Sequence, residues 1–285
     1  MPHADLANVR LYYDLSGPAD GEPLVLIQGL GAQSITWPPG FVALLQAERF
    51  RVILFDNRDV GLSTWFDDAS EQPYVLADMS DDVAHLLDHL GIRKAHVVGQ
   101  SMGGMIAQQF AIDHQDRTLS LISIYSAPVA APEFLVQAAA VSAARNSPWP
   151  ADREGAIQRY IAQEMISGLE EYDDEWIRAY AERVIDRAYN PPGQERQMAA
   201  LRGAPDRRPG LAAVTVPAAV IHGRNDPLVS FRGGIATAVA LPNAELHVFT
   251  EMAHQVKPSY WPDYVRIIAR TAARARGGAC AGTKG

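Results

Sequence analysis

Ala95-His96-Val97-Val98-Gly99-Gln100-Ser101-Met102-Gly103-Gly104 is the stretch that decides the fold of this chain. Residues 99–103 read Gly-x-Ser-x-Gly, between a short apolar run at 95–98 and a helical pattern at 104–113. A strand, a sharp turn and a helix in that order hold the serine in a strained backbone and expose its hydroxyl. The flanking glycines are needed because a Cβ at either would collide with the neighbouring strand or helix. The following helix N-terminus is aimed at any negative charge that forms beside the hydroxyl. Outside such a setting the same pentapeptide would be only a glycine-rich turn.

The setting extends in both directions. Residues 9–13 read as an opening strand, and 24–27, 51–55 and 119–125 as buried strands. Residues 37–47 and 79–90 read as helices, the second with Val83, Leu86, Leu87 and Leu90 on one face. After a long gap the pattern resumes with strands at 218–221 and 245–249 and helices at 232–240 and 261–276. Strands alternating with helices predict an α/β fold with a mainly parallel sheet covered on both faces. Ligands of such sheets bind beyond the carboxyl ends of the strands, where Gly29, Asp56 and Ser101 fall. The gap, from Pro128 to about Pro209, holds helical stretches at 133–144, 153–166, 174–188 and 194–202, with prolines at 148, 150, 191 and 192. It is too long for one crossover and reads as a helical lid folded over the sheet.

Composition removes several classes of function. The 285 residues are 48% hydrophobic and 20% charged, as in an ordinary globular protein with a large core. A formal charge of −8 opposes nonspecific nucleic-acid binding. Cys280 is the single cysteine, so neither an intrachain disulfide nor a cysteine metal cluster can form. The start of the chain lacks the pattern of a signal peptide, and no apolar run approaches the length of a bilayer span. A cytoplasmic protein with no membrane span is the expectation.

A serine hydroxyl is a poor nucleophile at neutral pH. It needs a base within hydrogen-bond reach, and the base needs an orienting carboxylate. Asp226 follows the strand at 218–221, and His254 follows the strand at 245–249. The order Ser101, Asp226, His254 is that of α/β-hydrolases. Across nearly its whole length the chain resembles that superfamily. The resemblance is carried by Gly29-Leu30-Gly31, the run Asp56-Asn57-Arg58-Asp59-Val60-Gly61-Leu62-Ser63, residues 99–104, Gly223-Arg224-Asn225-Asp226 and Met252-Ala253-His254. The run at 55–64 is similar to carboxylesterases and to polyketide methylesterases of the aclacinomycin type. The resemblance implies an eight-stranded sheet with the lid inserted after the sixth strand. On that reading residues 1–127 and 211–277 form the hydrolase core, 128–210 the cap and 278–285 a flexible tail.

Of eight histidines, His254 alone falls in a loop after the last strand. His3 is terminal, His85 and His89 share a helix face without a metalloprotease pattern, and His96 and His247 lie within strands. His114 ends the helix after the nucleophile, and His222 ends a strand just before the proposed acid, where a supporting role is open to it. The rival site for the acid, Tyr125-Ser126-Ala127-Pro128, offers no carboxylate. Of the N–H donors needed by an oxyanion, the residue after the nucleophile, Met102, supplies one. The resemblance puts the other at Leu30, in a loop that reads Gln28-Gly29 where many relatives have His-Gly. In the resembling family the stretch that holds Asp56, Arg58 and Ser63 is mainly structural, which implies a buried pair bracing the loop rather than catalytic groups.

These residues imply ester hydrolysis through an acyl-enzyme, with no cofactor and no metal. Thioester hydrolysis, lactone opening and carbon–carbon cleavage would run on the same triad, and a non-catalytic ligand receptor on this fold is the remote alternative. Substrate choice belongs to the lid. Trp176, Ile177, Tyr180 and Val184 form a helical stripe that either faces a pocket or packs on the core, and Trp149 and Met165 are further pocket candidates. Their apolar character would suit a small apolar or aromatic ester.

Overall fold

The apolar runs read as strands assemble into one sheet. The structure, a computed structural model, describes residues 2–66, 74–136, 147–168 and 173–280. The strands are β1 (His3–Asp5), β2 (Arg10–Ser16), β3 (Glu22–Ile27), β4 (Phe50–Phe55), β5 (Ala95–Gln100), β6 (Thr118–Ile124), β7 (Ala218–Gly223) and β8 (Ala244–Phe249). They form an eight-stranded sheet in the order β1-β2-β4-β3-β5-β6-β7-β8. Only the β1–β2 and β2–β4 pairings are antiparallel. β1 has no counterpart in the sequence reading, because three residues are too few to show a period.

Side chains alternate between the two faces of a strand, and the core divides accordingly. Val25, Ile27, Val97, Leu121, Ala218 and Val220 pack in one apolar cluster with α2 (Leu76–His89) and α3 (Met102–Asp113). Leu24, Leu26, Val98, Ile122, Ala219 and Ile221 pack in a second with α1 (Pro39–Ala47) and the closing helix. Both faces of the central strands are therefore dry, which is why they read as unbroken apolar runs.

Between β6 and β7 the described residues contain α4 (Arg153–Ser167), α5 (Asp174–Arg187), α6 (Pro191–Gly203) and the short α7 (Arg208–Leu211). Asp152, Asp173 and Asn190 cap the first three through bonds from the N–H groups of Gly155, Trp176 and Gly193. Pro191 opens α6 rather than breaking it, since its missing N–H is an unpaired helix-start position in any case. The helix expected at 133–144 does not start there. Pro132–Phe134 is a single 3-10 turn, Leu135 bridges to Val229, and residues 137–144 lie outside the described residues. α8 (Phe231–Ala240) precedes β8, and α9 (Trp261–Cys280) closes the chain, four residues beyond the expected end at Arg276. The rest of the expected tail, 281–285, is outside the described residues. Among the described residues no helix is long and apolar enough to cross a membrane.

The loop after β4 is braced, but not by the expected pair. Asp56 and Arg58 do not bond to each other. Arg58 forms a bidentate ion pair with Asp82 of α2, both bonds 2.7 Å. Asp56 accepts from the N–H groups of Ser34 and Leu62 at 2.7 and 2.9 Å and pairs with Arg187 of α5. Ser63 donates to the Asp56 carbonyl at 2.6 Å.

Candidate active site

Ser101 sits between β5 and α3 with φ 54° and ψ −121°, a left-handed backbone that side chains rarely adopt. The surrounding glycines make it possible. A Cβ on Gly99 would overlap the Gly103 carbonyl, and one on Gly103 would overlap the carbonyls of Ile27 and Gln28. The turn is held by Ser101 N–H donating to the Ile124 carbonyl at 2.9 Å and by Ser126 Oγ donating to the Ser101 carbonyl at 2.7 Å.

His254 lies in the loop after β8. Its N–H donates to the Ser167 carbonyl at the end of α4 at 3.0 Å, and its ring packs on Tyr125 with centroids 4.4 Å apart. Its Nδ1 donates to Asp226 Oδ2 at 2.6 Å, which leaves Nε2 as the basic nitrogen. Asp226 Oδ1 accepts from the N–H groups of Leu228 and Val229, each at 2.8 Å. His222 also contacts it, with Nε2 3.3 Å from Oδ2 and 3.0 Å from the Val229 carbonyl. Burial by itself would raise the Asp226 carboxyl. The charge on His254 and hydrogen bonds from His222 and His254 outweigh it and hold the group well below the ordinary carboxylate range.

Ser101 and His254 open onto one cavity of about 630 Å³. No hydrogen bond joins Ser101 Oγ to His254 among the described residues; such bonds are often long in substrate-free sites and shorten with substrate. Leu30 and Met102 line the same cavity. As the first residue of α3, Met102 has an N–H without an intrahelical acceptor. Gly29 brings the Leu30 loop against the serine, for a Cβ there would lie 3.2 Å from Ser101 Cβ and 3.7 Å from its Oγ.

The loop is positioned from below by amides. Gln28, fully buried, accepts at Oε1 from the Gly29 N–H at 3.2 Å and from Gln100 Nε2, and donates through Nε2 to Thr36 Oγ1 at 2.7 Å. Gln100 in turn accepts from the Tyr125 hydroxyl, and Thr36 donates to the Gln33 carbonyl at 2.7 Å. Every donor in this chain has an acceptor, so its direction is fixed from Tyr125 to Gln33.

Trp149 and Tyr180 line the cavity; Met165 and Trp176 do not. Met165 points away from the inward stripe of α4 and is 38% exposed. Trp176 is 40% exposed and stacks on the outer side of Tyr180, with centroids 4.9 Å apart. Ile177 and Val184 of the same stripe are buried in packing. Tyr160, Gln163, Glu164 and Ser167 line the cavity and were not singled out in the sequence. A polar stripe on an isolated helix reads as its solvent face.

Residues 22–256 match the α/β-hydrolase-fold family. A protein of Variovorax paradoxus (strain S110) named as carbamate hydrolase RutD is 32% identical over 86% of this chain and 89% of its own. Rhodomycin D methylesterase DauP of Streptomyces sp. (strain C5) is 40% identical over 38% of this chain and 35% of its own. The solved enol-lactonase of Burkholderia xenovorans LB400 superposes with a TM-score of 0.78 at 24% identity, covering 95% of this chain and 100% of the other. The chain belongs to the α/β-hydrolase-fold family.

Proposed function

We propose that this chain is a serine hydrolase that cleaves carboxylic esters through an acyl-enzyme. The observation that carries the reading is the contact of His254 Nδ1 with Asp226 at 2.6 Å beside a cavity that Ser101 shares. His254 Nε2 takes the Ser101 proton as Oγ attacks the carbonyl carbon. The N–H groups of Leu30 and Met102 receive the oxyanion, each worth about 3 kcal/mol of barrier in such sites. The imidazolium gives its proton to the leaving alcohol, and the neutral imidazole that remains activates a water whose attack releases the acid. The helices at 153–203 act as the cap that excludes bulk water and shapes the substrate.

A second reading is favoured by one observation, the name of a relative that is 32% identical over 86% of the chain. A carbamate carbonyl is attacked by the same group and leaves the same oxyanion, so carbamates belong among the substrates to be tried beside esters.

The test is covalent trapping with a fluorophosphonate, with mass analysis of the peptide that contains Ser101, together with turnover of para-nitrophenyl esters and carbamates. Labelling at Ser101, and loss of turnover in Ser101→Ala, are expected. No label at Ser101 under conditions where a known serine esterase reacts would overturn the reading.

A further inference from the structure

Polar groups crowd the end of the cavity nearest the base. Tyr160, Gln163, Glu164 and Ser167 are spaced i, i+3, i+4, i+7 on α4 and face inward together. Glu164 Oε2 accepts from Gln255 Nε2 at 2.9 Å, and Gln255 is the next residue after His254. Since the His254 N–H also binds the Ser167 carbonyl, the end of α4 and the loop of the base move as one piece.

No step of ester hydrolysis by Ser101, His254 and Asp226 uses Glu164. Its presence is costly. Burial pushes its carboxyl up, against the opposing pull of the Gln255 hydrogen bond, the charge at His254 and the Tyr160 hydroxyl. An apolar side chain would occupy the same wall without that penalty. The carboxyl also has a defined position relative to the reaction. The imidazole delivers its proton to the departing oxygen, so that oxygen lies at His254. Glu164 lines the same cavity and is bonded to Gln255, the chain neighbour of His254, which puts it beside the group attached to the departing oxygen.

Resting on the hydrolase reading above, we propose that Glu164 is the acceptor of a leaving-group subsite, and that the preferred substrates release an alcohol carrying a second hydrogen-bond donor, a hydroxyl or an N–H, near the departing oxygen. Tyr160 and Tyr180, with ring centroids 6.0 Å apart, form the adjacent wall of this subsite. Bound substrate donates to the carboxylate beside the bond that it already accepts from Gln255. The subsite selects the alcohol and leaves the acyl group to the rest of the cavity.

The experiment compares kcat/KM, by pH-stat, for 2-hydroxyethyl, 2-methoxyethyl and propyl butanoate in the wild type, Glu164→Gln and Glu164→Leu. The wild type is expected to favour 2-hydroxyethyl over propyl about tenfold, the size of one hydrogen bond to a charged acceptor. The methoxy ester, which has no donor, gains nothing. Glu164→Leu erases the preference, and Glu164→Gln, which keeps a neutral acceptor, retains part of it. Where Glu164→Leu does not fold, the fall in the ratio for Glu164→Gln carries the test. Turnover with the same ratio in the wild type and the variants overturns the subsite alone. No turnover of any ester, with no fluorophosphonate on Ser101, overturns the hydrolase reading and the subsite with it.

Discussion

His222 Nε2 lies 3.3 Å from Asp226 Oδ2, the same oxygen that His254 Nδ1 contacts at 2.6 Å. Its Nδ1 is buried against Gly234 with no hydrogen-bond partner among the described residues, and its Nε2 faces two acceptors, the Val229 carbonyl at 3.0 Å and the acid, so the proton of this ring sits on Nε2. Two imidazoles thus share one carboxylate. Removing the second one, in His222→Ala, is expected to cost roughly 2 kcal/mol of stability, the worth of a hydrogen bond to a charged group. It should lower kcat several-fold by loosening Asp226. His222→Gln, which keeps an N–H donor, should recover part of both. Urea unfolding and ester kinetics on the two variants check this, and unchanged kcat in His222→Ala would show that the second imidazole does not position the acid.

The depressed Asp226 carboxyl makes stability depend on pH in a definite direction. Its folded value lies below the unfolded one, near 3.9. The contribution is therefore complete above about pH 5 and drains away as pH falls through the unfolded value and on toward the folded one. Asp226→Asn should be less stable than the wild type by a constant amount between pH 5 and 7, and the gap should narrow below pH 4. The same variant should lose roughly 10⁴ in kcat, as imidazoles robbed of their carboxylate do. Unfolding curves at pH 7 and 3.5 test the first statement, and a gap that widens in acid would contradict it.

Glycines around the serine separate stability from turnover. Gly103→Ala would drive a Cβ into the carbonyls of Ile27 and Gln28, which are backbone and cannot step aside. A loss of about 3 kcal/mol is expected, at the upper end for overpacking. Gly29→Ala is different, since the nearest atom, Ser101 Cβ, is 3.2 Å away and can yield by a few tenths of an ångström. Its melting temperature should hardly move, whereas kcat should fall about tenfold because the Leu30 donor retreats from the oxyanion. Equal thermal losses in the two variants would argue against the close fit of this loop.

Gln28→Leu probes the amide chain below the oxyanion loop. It removes the acceptor of the Gly29 N–H and of Gln100 Nε2 and the donor to Thr36 Oγ1 at once. Buried groups left unpaired cost about 1–3 kcal/mol each before relaxation, so a drop of several degrees in Tm is expected. kcat should fall more than KM rises, because the loop contacts the oxyanion rather than the ground-state ester. A rise in KM with kcat intact would place the loop in ground-state binding instead.

The helices at 153–203 are fastened to the core by ions. Arg196 grips Asp59 with two bonds of 2.9 and 2.8 Å, and Asp59 also accepts from the Tyr74 hydroxyl at 2.8 Å. Gln197, one residue on, accepts from the Gly31 N–H and donates to the Arg58 carbonyl, both at 2.8 Å. Arg196→Ala leaves a fully buried carboxylate without its cation and should cost about 3 kcal/mol. Arg196→Lys should restore less than half, since an ammonium cannot make the planar two-bond contact. Chemical denaturation of both variants checks the order.

The sheet, its helices and the turn at Ser101 were legible in the sequence because each rests on local chemistry. Unbroken apolar runs mark strands buried on both faces, and a serine flanked by glycines after such a run marks a strained turn. The candidate acid and base were legible too, since each falls just past a strand end. Arg58 was read correctly as buried but with the wrong partner. Its mate, Asp82, is on a helix whose docking angle no local pattern reveals. Met165 and Trp176 failed as cavity residues for the same reason, as periodicity gives the stripes of a helix and not which stripe turns inward.

By itself, then, the sequence determined the order of elements and the side chains brought to the strand ends, because backbone conformation follows from neighbours along the chain. Only the tertiary structure decided that a second histidine contacts Asp226, that Gln28, Gln100 and Tyr125 support the loop beside Ser101, and that Glu164 lines the cavity shared by Ser101 and His254. Those relationships join residues far apart in the chain, and a polar side chain on a helix looks the same whether it meets water or a cavity until the helix is packed in place.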